Sequence, residues 1–346
     1  MRFGKILEDL DALAANVAFQ HVTGNPMLVT AAVDRIALRR IPKPDYDHIM
    51  TGQVTWVGTS SMEIRVRLSQ GGQNTTTKMN HHGEEEWLLE AYFTFVAVDP
   101  QTNKPTKIIP IIPETDQERE SFELGALKAA KKKEERNRGY FMDGKGYHSD
   151  EVIHMEKKAK ELLQQAFPLL RMPSLADPHS ILMEKTCLEN SVIAQPQTRN
   201  LNDRIFGGFL MRKGFELAFA TAYVFGGEWP VMLEVDNVTF ISPVDVGDLL
   251  QFKSRVIYSL PEGGNLGIEV ADHKGKPLVM VEVECWITEP AKVQAHLSNK
   301  FYFTFLLPTK KSSRKVLPGS LEEARRMVER MAADEEQSKL SKGRNV

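Results

Sequence analysis

Apolar residues recur at three- and four-residue spacing from the very start of the chain. Ile6, Leu7, Leu10, Leu13 and Val17 mark one face of a helix within residues 1–22, closed by Gly24, Asn25 and Pro26. The pattern then changes to β-branched and aromatic runs, which predict strands over 27–38, 49–57, 62–68 and 87–98. A polar insert at 71–86 is expected as an exposed loop. One helix followed by several antiparallel strands is an α+β signature. Residues 113–178 break the pattern with mixed-charge runs such as KAAKKKEERNR and HMEKKAKELLQQ, which predict a partly helical, solvated linker.

The second half repeats the first. Strands are predicted over 183–194, 231–241, 249–259, 278–288 and 300–307. Between the first two stands the stretch that organises the chain, QPQTRNLNDRIFGGFLMRKGFELAFATA over 195–222. Its Asn-rich loop reaches Gly207 and Gly208 and enters a Pro-free helix whose Phe209, Leu210, Leu217 and Phe219 call for a wrapping structure. The glycine pair admits another backbone or a ligand, and the unpaired N–H groups of a helix start draw negative charge. That is a place to hold an oxyanion. Phe3-Gly4 echoes Phe206-Gly207-Gly208 at an offset of 204, and AAVDRIAL (31–38) echoes LEVDNVTF (233–240) at 202. The architecture is therefore expected to be a tandem pair of similar α+β units: a first unit 1–112, a linker 113–178, a second unit 179–309, and a polar tail 310–346 with one charged helix over 321–333.

Composition adds bounds. A chain of 346 residues suits about two domains at about 150 residues each. With 42% hydrophobic residues, 26% charged and a net charge of -2, it can bury a sizeable core, and nothing favours nucleic acid or an anionic membrane. Cys187 and Cys285 lie in apolar runs without metal spacing and are expected as reduced core residues. No apolar run reaches the length of a membrane span and no signal-peptide core is visible, so a soluble intracellular protein is expected. A core helix that opens at residue three leads us to expect that a segment before it is missing.

No Gly-x-Ser-x-Gly elbow is present, which argues against a serine nucleophile. Asp11 sits among Leu7, Leu10 and Leu13, where a carboxylate is costly unless it is used. Arg204, Arg212 and Lys213 flank the second helix start and suit phosphate oxygens. His81 and His82 with Glu84 to Glu86 fall in the polar insert, so no metal site is expected there. His148 and His154 are expected in solvent, and His21 as a core or capping residue.

The motifs RFGKILEDLDAL, GQVTWVGTSSMEI, RNLNDRIFGGFLMRK and VDNVTFISPVDVGDLL, in that order, resemble the double hot-dog acyl-CoA thioesterases of the mitochondrial acyl-CoA thioesterase 9 type, from Met1 to about Pro308. The resemblance implies an antiparallel sheet wrapped around one long helix, twice, with the first unit short of its N-terminal strand. It implies hydrolysis of fatty acyl-CoA by a helix carboxylate acting across the unit interface: Asp11 as the base, Asn202 or Asn200 as its loop partner, and Gly207, Gly208 or Gly4 as oxyanion donors. Glu216 stands one residue beyond the second helix's matching position, Phe215, and is a candidate second carboxylate. Gly58, Ser60 and Ser61 are implied along the pantetheine arm. No metal or redox cofactor is implied beyond coenzyme A as part of substrate and product. A homo-oligomer, a trimer of double hot-dogs, and a mitochondrial location are implied, although no leader is visible and the alternative is the cytoplasm. Two other functions stay open: a non-catalytic acyl-CoA-binding or scaffold protein, and a hot-dog hydratase or dehydratase. The latter usually need a His on the active helix, which neither helix carries at the matching position.

Overall fold

A computed structural model describes residues 3–34, 36–40, 42, 46–70, 87–138, 149–200, 204–236, 238–263, 275–310 and 313–342. In the first half, helix α1 (Phe3–His21) precedes strands β1 (Met27–Val33), β2 (Ile36–Leu38), β3 (His48–Val57), β4 (Ser61–Gln70) and β5 (Trp87–Val98). Helices α2 (Asp116–Arg138) and α3 (Ser149–Arg171) and the short strand β6 (Ser180–Leu182) lead to the second half. There β7 (Leu188–Ile193) precedes α4 (Gly207–Gly226), β8 (Val231–Val235), β9 (Val238–Thr239), β10 (Leu249–Leu260), β11 (Leu278–Glu289) and β12 (Gln294–Leu306). Strand β13 (Lys315–Leu317), parallel to β6, and helix α5 (Leu321–Lys342) follow.

Each half is an antiparallel sheet around one helix, so the fold is the expected α+β double hot-dog. Alternation dictates it: Met62, Ile64, Val66 and Leu68 of β4 are fully buried in one core with Leu7, Leu10 and Ala14 of α1, while Arg65 and Arg67 between them face away. In the second half Phe301, Phe303 and Phe305 are the fully buried residues of β12 that line α4, with Phe301 against Gly214 and the other two against the Phe215 ring. The halves share one sheet through reciprocal antiparallel pairings, β2 with β8 and β1 with β9.

Several elements differ from expectation. The strands predicted over 27–38 and 231–241 each break after β1 and β8, at Asp34 and Asp236, whose side chains meet cations of a covering helix. The strand predicted over 183–194 opens instead as a 3₁₀ turn, Met183–Thr186, held by the Thr186 hydroxyl donating to the Met183 carbonyl at 2.7 Å. β12 starts at Gln294, well before Lys300, because its polar first residues pair with Glu289 and Thr288 in a hairpin. The tail helix runs on to Lys342 through good helix formers. Cys285 is buried, with its thiol pushed up to about 12 by burial, but Cys187 is exposed and not a core residue.

The charged segments are not merely solvated. In α2, Lys128 reaches Glu63 at 3.1 Å and Asp34 at 3.4 Å and lies 3.6 Å over the Tyr92 ring, and Gly125 fits against Trp56. In α5, Arg330 pairs with Asp236 and lies 4.6 Å over the Tyr302 ring. Lys128 and Arg330 stand 202 apart, the offset of Asp34 and Asp236, so the repeat includes a helix clamped to each sheet's outer face.

Candidate active site

The first turn of each of the helices α1 and α4 packs against the second and third turns of the other, and glycine sets how close they come. A Cβ on Gly208 would lie 3.0 Å from the Glu8 Cα and 3.1 Å from the Asp11 Cβ, and one on Gly207 would lie 2.9 Å from the Phe240 ring and 3.2 Å from Asp11 Oδ2. Only a residue without a side chain fits there. The approach brings the Gly208 N–H, a helix-start donor with no partner in its own helix, to Asp11 Oδ2 at 2.5 Å. A carboxylate from one half is thus anchored on the backbone of the other.

Asp11 is fully buried. Burial pushes its carboxyl up to about 7, against the opposing pull of the Gly208 amide and the Thr30 hydroxyl. Its second oxygen, Oδ1, has no hydrogen-bond partner among the described residues. A buried carboxyl raised to near neutral pH, with one oxygen anchored on a backbone N–H and the other without a hydrogen bond among the described residues, is suited to exchange a proton near neutral pH.

The other expected site residues fall in different places. The Gly208 N–H, an expected oxyanion donor, is engaged by the Asp11 carboxylate. Gly4, at the start of α1, faces Arg212 Cγ at 3.0 Å and the Phe215 ring at 3.1 Å from its would-be Cβ, a packing contact. Asn200 closes a turn: its N–H donates to the Arg204 carbonyl at 2.6 Å and its Oδ1 accepts the Arg204 N–H at 3.2 Å. Asn202 lies outside the described residues. Glu216 is on the surface, paired with Lys213 at 2.8 Å and Arg212 at 3.4 Å. The structure does not bring it to Asp11. Arg212 also bridges the halves by an ion pair with Glu8 at 2.8 Å, and Arg204 stands 3.9 Å from Asp245. Arg204, Arg212 and Lys213 therefore all face carboxylates.

Gly58, Ser60 and Ser61 form the β3–β4 turn, with the Gly58 N–H donating to the Ser61 carbonyl and the Ala97 N–H to the Ser60 carbonyl, both at 2.8 Å. No hydrogen bond among the described residues joins this turn to Asp11. His21 ends α1 with Nε2 2.8 Å from the Ile109 carbonyl, a tie to a distant segment and not a cap on its own helix, and His154 is exposed on α3. His81, His82, Glu84 to Glu86 and His148 lie outside the described residues. Thr30 is the contact that the sequence reading missed: a lone threonine in a β-branched run carries no signal until the strand is laid against α1.

No protein-family model matches the chain. Among curated relatives, the mitochondrial acyl-coenzyme A thioesterase 4 of Humulus lupulus is 41% identical over 353 residues, covering 96% of this chain and 61% of that protein. The chain thus spans less than two thirds of that relative's length. The mitochondrial acyl-coenzyme A thioesterase 9 of Mus musculus is 32% identical over 88% of this chain and 65% of its own. Among solved structures, a putative oleoyl thioesterase from Lactobacillus plantarum aligns at 12% identity and a TM-score of 0.44, over 88% of this chain and 84% of that one. The chloroplastic acyl-coenzyme A thioesterase 2 of Humulus lupulus is 39% identical over 96% of this chain and 74% of that protein. On that coverage and identity, this chain belongs to the acyl-coenzyme A thioesterase family.

Proposed function

We propose that the chain hydrolyses fatty acyl-coenzyme A to the free fatty acid and coenzyme A. The observation that carries this is Asp11: fully buried, bonded to the Gly208 N–H of the opposite half at 2.5 Å, and with no hydrogen bond to Oδ1 among the described residues. Thioester hydrolysis needs such a base one water away from the carbonyl carbon. Asp11 takes a proton from water, and the oxygen adds to the thioester carbonyl, whose π electrons move onto oxygen as an oxyanion. The oxyanion collapses, the carbon–sulfur bond breaks, and the sulfur leaves with the proton held by Asp11. The Gly207 N–H, beside the engaged Gly208, is the donor assigned to the oxyanion, and the loop bearing Asn200 and Asn202 orients the thioester.

Coenzyme A is substrate and product here, with no further cofactor in the scheme. The relatives are named as mitochondrial or chloroplastic, and we place this chain in an organelle of that kind, as an oligomer of double hot-dogs. No helix among the described residues is long and apolar enough to cross a membrane.

The test is thiol release from short, medium and long acyl-coenzyme A, comparing the parent chain with Asp11→Asn. Turnover by the parent and a loss of about 10²–10⁴-fold in the variant, with the fold intact, is the expected result. An inactive parent, or an Asp11→Asn variant as fast as the parent, overturns the assignment.

A further inference from the structure

The far end of α4 carries a pocket away from Asp11. It has a volume of about 440 Å³, opens to solvent, and is lined by His179, Phe225, Gly226, Lys310, Ser313 and Arg314. Small-ligand sites span about 300–1,000 Å³, so the pocket is of ligand size. Its titratable side chains are two cations and an imidazole, with no carboxylate among them. Gly208, which anchors Asp11, and Phe225 stand at opposite ends of the helix, about 25 Å apart.

The lining residues come from separate segments, and hydrogen bonds fix each of the three basic ones. The His179 N–H donates to Asp177 Oδ1 at 3.0 Å, and its carbonyl accepts the Lys315 N–H at 2.7 Å. The Lys310 N–H donates to the Glu228 carboxylate at 3.1 Å, which the Thr309 N–H also reaches at 3.1 Å. The Arg314 carbonyl accepts the Ser259 hydroxyl at 2.7 Å, and its guanidinium donates to the Phe225 carbonyl at 3.0 Å. The two nearby acids, Asp177 and Glu228, are thus occupied by backbone N–H groups. The His179 ring and the Lys310 ammonium make no hydrogen bond or ion pair among the described residues, and Arg314 spends one of its N–H groups on Phe225.

Cations at the end of a helix have an ordinary explanation, because its last carbonyls carry partial negative charge. That accounts for Arg314, which is bonded to one of them, and not for Lys310 or His179. The first half shows that a helix end is tied down without such a cluster. There too the segment after the last strand reaches the end of the helix, with His21 Nε2 2.8 Å from the Ile109 carbonyl. Residues 108–112 of that segment read Ile-Ile-Pro-Ile-Ile, and Ile108 and Ile111 pack on the core. Both halves make the tie, and the second adds a converging set of donors.

We propose that this pocket binds a soluble phosphate-bearing molecule at a site separate from Asp11. A guanidinium, an ammonium and an imidazole all donate, and an acceptor-rich anion satisfies them together. A phosphate group presents three acceptor oxygens that diverge, which suits donors arriving from different segments better than the two coplanar oxygens of a carboxylate. The pocket is larger than a phosphate and leaves room for an organic part over Phe225, whose ring is 6% exposed at its floor. The site stands on binding alone and does not depend on the thioesterase reading.

The test is calorimetric titration of the full chain with pyrophosphate, for the parent, for His179→Gln combined with Lys310→Gln, and for Asp11→Asn. His179 and Lys310 are exposed and enter the hydrogen-bond network through their backbones, so the double variant keeps the loop's ties. The parent is expected to bind with a Kd below about 1 mM, the double variant at least about 10-fold more weakly, and Asp11→Asn like the parent. No saturable binding by the parent, a loss under about 10-fold in the double variant, or an equal loss in Asp11→Asn overturns the proposal. Hydrogen exchange on the parent needs no variant: pyrophosphate protects the peptides that hold Lys310 and Arg314, and protection confined to other segments overturns the site. Sedimentation with phosphatidylglycerol vesicles, lost in the double variant, would assign the pocket to a lipid headgroup and overturn the soluble ligand.

Discussion

The two halves place equivalent residues in opposite chemistry. Asp11 and Phe215 stand 204 apart, as Gly4 and Gly208 do, and each faces the glycine at the start of the other half's helix. At one end the facing group is a carboxylate on the Gly208 N–H, with the Thr30 hydroxyl beside it. At the other it is a phenyl ring packed on Phe3, Phe303 and Phe305 at 5.6, 5.9 and 6.1 Å between centroids. Even the ion pair across the helices, Glu8 with Arg212, joins positions 204 apart but of opposite charge. The backbone of the duplicated unit is kept while the polar groups collect at one of its two sites. Once the scaffold is symmetric, a single function needs only one of the sites to stay polar, and the other is free to become core.

That contrast can be broken at several points. Asp11→Asn carries the largest effect: kcat/KM for acyl-coenzyme A falls about 10²–10⁴-fold. The same change removes a pH dependence of folding. Burial pushes the carboxyl up to about 7 in the fold from an ordinary value of 3.8, so the native state holds the proton more tightly than the unfolded one. Stability therefore declines as pH rises from near 4 to near 7 and levels beyond. Thermal melts across that range are expected to show the slope in the parent and not in the variant, while kcat/KM in the parent gains an ionisation limb near pH 7. Phe215→Ala reads the other end. It costs about 3–5 kcal/mol of stability in denaturant titrations, and the folded fraction keeps the parent's turnover.

A matched pair of glycine variants sharpens the comparison. Gly208→Ala meets the Glu8 backbone at 3.0 Å, which cannot move aside, whereas Gly4→Ala meets side chains first, Arg212 Cγ at 3.0 Å and the Phe215 ring at 3.1 Å, which can give by a few tenths of an ångström. We expect about 1–3 kcal/mol and loss of turnover for the first, and under about 1 kcal/mol with turnover retained for the second. Glu216→Ala is the smallest. Its ion pairs are exposed, so stability shifts by no more than about 1 kcal/mol and turnover stays within about 2-fold; a large loss would restore Glu216 as a second carboxylate.

Much of this was legible in the sequence, for identifiable reasons. The hot-dog helices and most strands follow from local periodicity, and the repeat from two short echoes. Asp11 stood out because leucines flank it on a helix that must be buried. What stayed hidden depends on contacts distant in sequence. Thr30 has the side chain of an ordinary strand residue until the fold lays it beside α1. The covering role of α2 was masked because Lys128 lies in a run whose composition fits solvent equally well, and its partner Glu63 is 65 residues away. Arg212 and Lys213 read as phosphate ligands only while Glu8 and Glu216, their actual partners, were not yet beside them.

The hydrogen bond from Gly208 to Asp11 also has a genetic consequence. Duplicated units usually offer redundancy, in which damage to one copy leaves the other working. Here the buried carboxylate belongs to one copy and the amide that anchors it to the other. On the proposed function a lesion in either repeat falls on the same centre, so the duplication widens the target for inactivating mutations and provides no spare.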